Sequence, residues 1–271
     1  MNKIKKLFSE SSFSRVLDII KKNPNIYFYT LLLDFVFISI IIFMGKYFGS
    51  LIPSDTQQLL SIFKSPANLL LFALLYIIIY YSFVLFIYSI TKLSILNLIK
   101  KLYVKNIFTL KGIGKFYLLN ILIFIIFFFT GLILFGMLAI IFRTEFLSYI
   151  VLILSIPFLL LWYSVINISH VLLMKDKKEK IIRKSFKIAF TKINEYGMFV
   201  AWDVIAVITY LLFYSLIHLI FRFAVFSNEQ ISSNFLPIYL KIFSIVSLIV
   251  LYLIISFNRI YFYERIDKDV L

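Results

Sequence analysis

The sequence predicts an all-α integral membrane protein with six transmembrane helices and three amphipathic helices on the cytoplasmic side. Three observations carry that expectation. There are uncharged apolar runs long enough to cross a bilayer, a basic bias confined to alternate connecting segments, and short amphipathic stretches ahead of each odd-numbered run. Of the 271 residues, 62% are hydrophobic and 15% charged, and the mean hydropathy is +1.00. A soluble domain coats its surface with about a quarter charged residues, so a water-soluble globule is excluded.

The apolar runs are Ile26 to Gly45, Ala67 to Thr91, Phe116 to Phe142, Phe146 to Met174, Met198 to Phe221 and Leu236 to Asn258. Each offers about 20 residues or more, which at a rise of about 1.5 Å per residue covers a hydrocarbon core of about 30 Å. They form one six-helix membrane domain over residues 1–271. Pro24, Pro66 and Pro237 stand just before spans one, two and six, where a missing N–H costs little. Pro53 lies in the loop after span one, and Pro157, inside span four after Ser155, is expected to kink that helix. The first run follows a basic stretch and no small-residue cleavage site closes it, so it is expected to be retained as a span.

Orientation follows from Lys and Arg. Segments 1–25, 92–115, 175–198 and 259–271 hold 23 of the 28 basic residues, and only Lys46, Lys64, Arg143, Arg222 and Lys241 fall on the other side. Basic loops stay cytoplasmic, which places both termini inside a cell membrane. The net charge of +15 therefore points to anionic lipid headgroups as partners, and not to nucleic acid, because the basic residues flank membrane spans. With no Cys, disulfides, thiolate catalysis and Cys-containing metal sites are ruled out.

The inner segments carry their own pattern. In Lys180 to Asn194, Ile182, Phe186, Ala189, Phe190 and Ile193 recur every three or four positions while Lys180, Arg183, Lys184 and Lys187 cluster opposite, as a basic amphipathic helix requires. Leu93 to Ile107 repeats this with Lys100, Lys101 and Lys105, and Phe13 to Ile20 gives a shorter version. Each is expected to lie flat among headgroups and bind anionic lipid. Each is followed by a breaker, at Asn23-Pro24-Asn25, Gly112-Ile113-Gly114 and Asn194 to Gly197, and then by a span. The chain thus reads as three copies of one unit: amphipathic helix, span out, span back.

The passage from Val171 to Ile205, with Ile182-Arg183-Lys184-Ser185-Phe186 at its centre, resembles a signature of six-span membrane domains of the type fused to some glycerophosphodiester phosphodiesterases. That resemblance implies the six-span layout. The soluble phosphodiesterase domain has no counterpart here, so it carries over no catalytic residue.

Intramembrane polar residues are where chemistry would sit. Asp34, Asn120 and Asp203 enter spans one, three and five from the inner side to a depth of roughly 8–12 Å. Asn167, His170, Asn258 and Arg259 lie at a similar level on returning spans. These seven are expected to form a polar collar near the cytoplasmic mouth. It is either structural, with the acids paired to Arg259, His170 or the amides, or a path for a proton or a headgroup. His170 and His218 lie near opposite ends of the membrane and cannot share a metal. Serines such as Ser82, Ser155 and Ser256 have no base within helical reach, and Trp162, Trp202 and the other aromatics are read as packing groups.

No cofactor, metal or catalytic residue is expected. The sequence points to a non-enzymatic membrane component whose basic inner face binds anionic lipid or a partner protein, which includes a second copy of the chain. The alternative is a small carrier for a lipid or amphiphile through the collar. Because the chain has no native Cys, single Lys→Cys variants test the orientation directly. A membrane-impermeant thiol reagent should modify Lys46→Cys in intact cells, and Lys178→Cys only after the membrane is opened.

Overall fold

The computed structural model describes residues 12–52, 59, 62–63, 65–103, 112–142, 144–175, 180–191, 193–224 and 229–270. Among the described residues the chain forms eight helices and no strand. They are α1 (Ser12–Lys22), α2 (Pro24–Ser50), α3 (Pro66–Lys100), α4 (Ile113–Ile141), α5 (Thr144–Met174), α6 (Ile181–Thr191), α7 (Ile193–Ala224) and α8 (Glu229–Val270). Six of them, α2, α3, α4, α5, α7 and α8, are long and apolar enough to cross a membrane, and each contains all or nearly all of one expected span. Their apolar side chains stay on the surface: Ile140 is 88% exposed and Phe43 70%. Exposed hydrocarbon on this scale is untenable in water and ordinary in lipid. The protein is a multi-pass membrane protein.

Local sequence explains where the spans begin. Pro24 and Pro66 each open a helix at its first turn, where their missing N–H would have had no intrahelical partner. Ahead of Pro66, the Ser65 hydroxyl accepts the Asn68 backbone N–H at 3.2 Å, a side-chain cap on an otherwise orphaned donor. Gly112 precedes α4 with φ 99°, a left-handed backbone that costs a side-chain-bearing residue about 1–2 kcal/mol.

Three boundaries differ from the sequence reading. Residues 93–100 do not begin a separate inner helix, because α3 runs unbroken from Pro66 to Lys100. No Gly or Pro lies between Ala67 and Lys100, so nothing stops the helix where its apolar run ends. Lys105 and Ile107, the rest of that expected segment, lie outside the described residues. The expected breaker at Asn194 to Gly197 is helical, inside α7; a lone Gly without Pro is a weak stop. Finally, α8 reaches Val270, so the segment after span six is helix, with Ile260, Tyr261, Phe262, Tyr263 and Ile266 buried. Helix α5 continues through Pro157, and Pro237 sits within α8, not ahead of it.

Packing divides the chain into two compact units, a central one of residues 23–166 and a terminal one of residues 1–22 with 167–271. In the central unit α2 packs on α3 and α3 on α4. Phe48 lies edge-on to Tyr76 and Tyr80, with ring centroids 5.7 and 5.4 Å away. Phe127 of α4 stacks on Trp162 of α5 at 5.6 Å. In the terminal unit α1 and α7 pack on α8, and α6 on α7. Phe13 of α1 stacks on Trp202 at 3.9 Å and leans on Phe257, Val16 is fully buried, and Arg15 lies 3.9 Å from Glu264. The tryptophans thus serve as packing groups.

The Gly112 backbone yields a stability test. Gly112→Ala should lower the thermal unfolding midpoint of the detergent-purified protein, consistent with a loss of about 1–2 kcal/mol. Gly114→Ala, where an added Cβ meets nothing within 4 Å, should leave the midpoint unchanged or slightly raised.

Candidate functional site: the buried polar layer and the basic helix

The residues expected to form a collar are all in spans, and six of the seven are deeply buried. Asp34 and His170 are 2% and 0% exposed, and Asn120, Asn167, Asn258 and Arg259 are buried as well, while Asp203 is part-buried. They belong to both packing units: Asp34 and Asn120 to the central one, the other five to the terminal one.

In the terminal unit, α7 carries Asp203 and α8 carries Asn258, and the Asn258 Nδ2 donates to Asp203 Oδ2 at 2.8 Å. A carboxylate facing hydrocarbon alone costs on the order of 3 kcal/mol or more, and the amide supplies part of the solvation that lipid withholds. This bond is also a tie between α7 and α8. A second tie joins α5 to α6, where Ser169 Oγ donates to Ser185 Oγ at 2.8 Å and Ser185 Oγ donates to the Ile181 carbonyl at 2.8 Å. Both serines are fully buried.

In the central unit, Asn120 of α4 donates through Nδ2 to Ser89 Oγ of α3 at 2.7 Å. Ser89 in turn donates to the Leu85 carbonyl at 2.7 Å, so the hydroxyl relays between a neighbouring helix and its own backbone. Elsewhere between α3 and α4, Ser82 Oγ and Tyr117 Oη approach to 2.6 Å, which occupies one of the singled-out serines with a packing bond. Another, Ser155, donates to the Leu152 carbonyl.

Sequence reasoning missed the polar end of α3. Lys92 is 4% exposed, and Ser94 and Asn97 are also buried. Ser94 and Asn97 fall in the segment expected to face headgroups, with Lys92 just ahead of it, yet Leu93, Ile95, Leu96 and Ile99 beside them are equally buried. Burial on every side, and not on one stripe, identifies packed interior. The signal available was the lack of any breaker between Ala67 and Lys100.

Helix α6 presents its residues in three arcs. Ser185 and Ala189, one turn apart, are buried. On the next arc Phe186 and Phe190 stack with ring centroids 6.5 Å apart, and Phe190 is 59% exposed. Beyond them Arg183 and Lys187 are exposed and Lys184 half-buried, with Lys180 exposed just ahead of the helix. Of the other basic residues singled out, Lys101 is exposed and Lys100 half-buried.

At the other end of the terminal unit, Tyr214, His218, Tyr239 and Phe243 form an aromatic seam between α7 and α8. The closest rings, Tyr214 and Phe243, are 3.7 Å apart, and Tyr239 Oη lies 3.4 Å from His218 Nδ1. His218 is therefore placed by packing. Among the described residues no three His, Asp or Glu side chains gather in a way that holds a metal ion.

A void of about 230 Å³ lies within the central unit, lined by Phe37 of α2, Leu85 and Tyr88 of α3, Asn120 and Ile123 of α4, and Trp162 of α5. The Trp162 indole N–H is buried with no hydrogen-bond partner among the described residues. No family model, curated protein or solved structure matches the chain.

The Asp203–Asn258 bond yields a double-mutant cycle. Asn258→Leu should destabilise the protein by about 1 kcal/mol, and its coupling to Asp203→Leu should fall within about 0.6–1.7 kcal/mol, the range of intramembrane hydrogen bonds. Reversible unfolding in bicelles measures both. Zero coupling would show that the bond does not hold α7 to α8.

Proposed function

We propose that this is a non-enzymatic membrane protein whose basic cytoplasmic face engages anionic lipid headgroups, in an accessory or membrane-organising role. The observation that carries the reading is the surface of α6. A basic arc, Arg183 and Lys187, adjoins an exposed aromatic arc ending in Phe190, while Ser185 and Ala189 fix the helix to the protein. A helix anchored on one side, with aromatic rings beside cations, fits the boundary between acyl chains and phosphates. The resemblance of Val171 to Ile205 to six-span membrane domains agrees with this assignment of architecture.

The basic bias supplies the driving force. With about 1 kcal/mol available per Lys or Arg near an anionic leaflet, three or four contacts on α6 suffice to enrich anionic lipid around it. A partner protein with an acidic surface would use the same residues. The bond that Asp203 accepts from Asn258 supports the structural reading of the polar residues over transport through them.

The test is lipid selectivity of the intact protein in nanodiscs. The fraction of spin-labelled phosphatidylglycerol immobilised at the protein should exceed that of phosphatidylcholine, and the excess should shrink with salt. Replacing Arg183, Lys184 and Lys187 by Glu should abolish the excess, since about 1 kcal/mol is lost at each of the three residues and repulsion is added. Unchanged selectivity in that variant would contradict the proposal.

A further inference from the structure

We infer that the void in the central unit seats the end of one acyl chain of a membrane phospholipid. This inference does not rest on the basic face. Its walls come from α2, α3, α4 and α5, all of them candidate spans, so the medium around it is hydrocarbon. The lining is almost wholly apolar, and the Nδ2 of Asn120, its one amide residue, is engaged by Ser89 at 2.7 Å. Water needs two to four polar partners to stay in a cavity, and these walls do not offer them to a cluster of that size. An apolar occupant is required.

The volume sets its size. An apolar cavity of about 150 Å³ takes a six-carbon ring, so one of 230 Å³ has room for roughly eight chain carbons. Phe37, Tyr88, Phe124 and Trp162 retain part of their surface, so the void opens outward. Toward the inner side it meets polar residues: Asp34 stands one turn before Phe37 on α2 and Lys92 one turn after Tyr88 on α3, both buried. A hydrocarbon tail is excluded from that layer, which makes the void a seat for a chain end and not a passage. The aromatic walls, with Phe37 and Tyr88 edge-on at 5.9 Å, suit a flexible alkyl chain.

The experiment uses the full chain in phosphatidylcholine vesicles containing phosphatidylcholine with a diazirine in one acyl chain. After irradiation, adducts are mapped by mass spectrometry. Ile140, 88% exposed, touches bulk lipid; Ile123, 2% exposed, is reached only through the void. Label on both residues is expected. Leu85→Trp, which fills the void, should cut the Ile123 adduct by about tenfold and leave Ile140 unchanged, since the indole takes the space of the chain end. An unlabelled Ile123 beside a labelled Ile140, or an Ile123 adduct undiminished in the filled variant, would overturn the inference. If Leu85→Trp fails to fold, the Ile140 pattern reveals it and the unaltered chain decides alone.

Discussion

Lipid offers no hydrogen bond and no hydrophobic drive between helices, and the rest of this structure follows from that constraint. Each span must satisfy its own backbone, which selects helices; what then joins one span to another is close packing and a small number of side-chain bonds. The observed ties are of that kind. Asn258 to Asp203, Asn120 to Ser89, Ser169 to Ser185 and Ser82 to Tyr117 each cross from one helix to another. Aromatic contacts, such as Phe127 on Trp162 and Tyr214 on Phe243, fill the spaces beside them.

These ties are not spread evenly along the membrane normal. In α3 the buried residues run from Ser89 to Ile99, in α5 from Val165 to Leu172, and in α8 most run from Ser256 to Ile266. Each stretch lies toward the helix end that adjoins a basic flank. The opposite halves, from Leu70 to Ile79 in α3 and Phe146 to Leu159 in α5, hold most of the exposed apolar side chains. In each of these helices packing is concentrated toward one end, with polar groups inside it. Polar groups near the end of a span have more access to water and headgroup dipoles, so their desolvation costs less there than at the bilayer centre.

The spans were legible in the sequence because hydropathy over twenty residues is a sum that no single contact reverses. Pro24, Pro66 and Gly112 marked three helix starts for local reasons that tertiary structure did not override. The inner segments were harder. A run such as Leu93 to Ile99 alternates apolar and polar residues in the same way whether it lies on headgroups or inside a packed layer. Periodicity distinguishes an apolar stripe from a polar one, and it cannot tell which neighbour covers the polar one. Lys92 illustrates the limit, being basic and beside a span yet buried. Of the seven collar residues, the sequence identified all as lying within apolar helices, but the Asp203–Asn258 pairing needed helix rotations that a linear pattern does not contain.

This separation of roles bears on where function resides. Polar side chains in the membrane are expensive, and those that bind one another spend their interaction on holding helices together. Asp203 and Asn120 make bonds of this kind, and the proposed lipid-binding role draws on the surfaces instead. Those surfaces differ: the spans offer mostly hydrocarbon, and α6 offers cations beside an exposed ring. Helix α6 is fixed by its smallest residues, Ser185 and Ala189, while Phe190, Arg183 and Lys187 remain outside and Phe186 and Lys184 are half-buried. A helix meant only to fill space would be expected to bury Phe186 and Phe190 and expose the serine. The inverted arrangement gives up apolar burial within the protein and recovers it only against a membrane interface, which is the physical reason to place the working surface there.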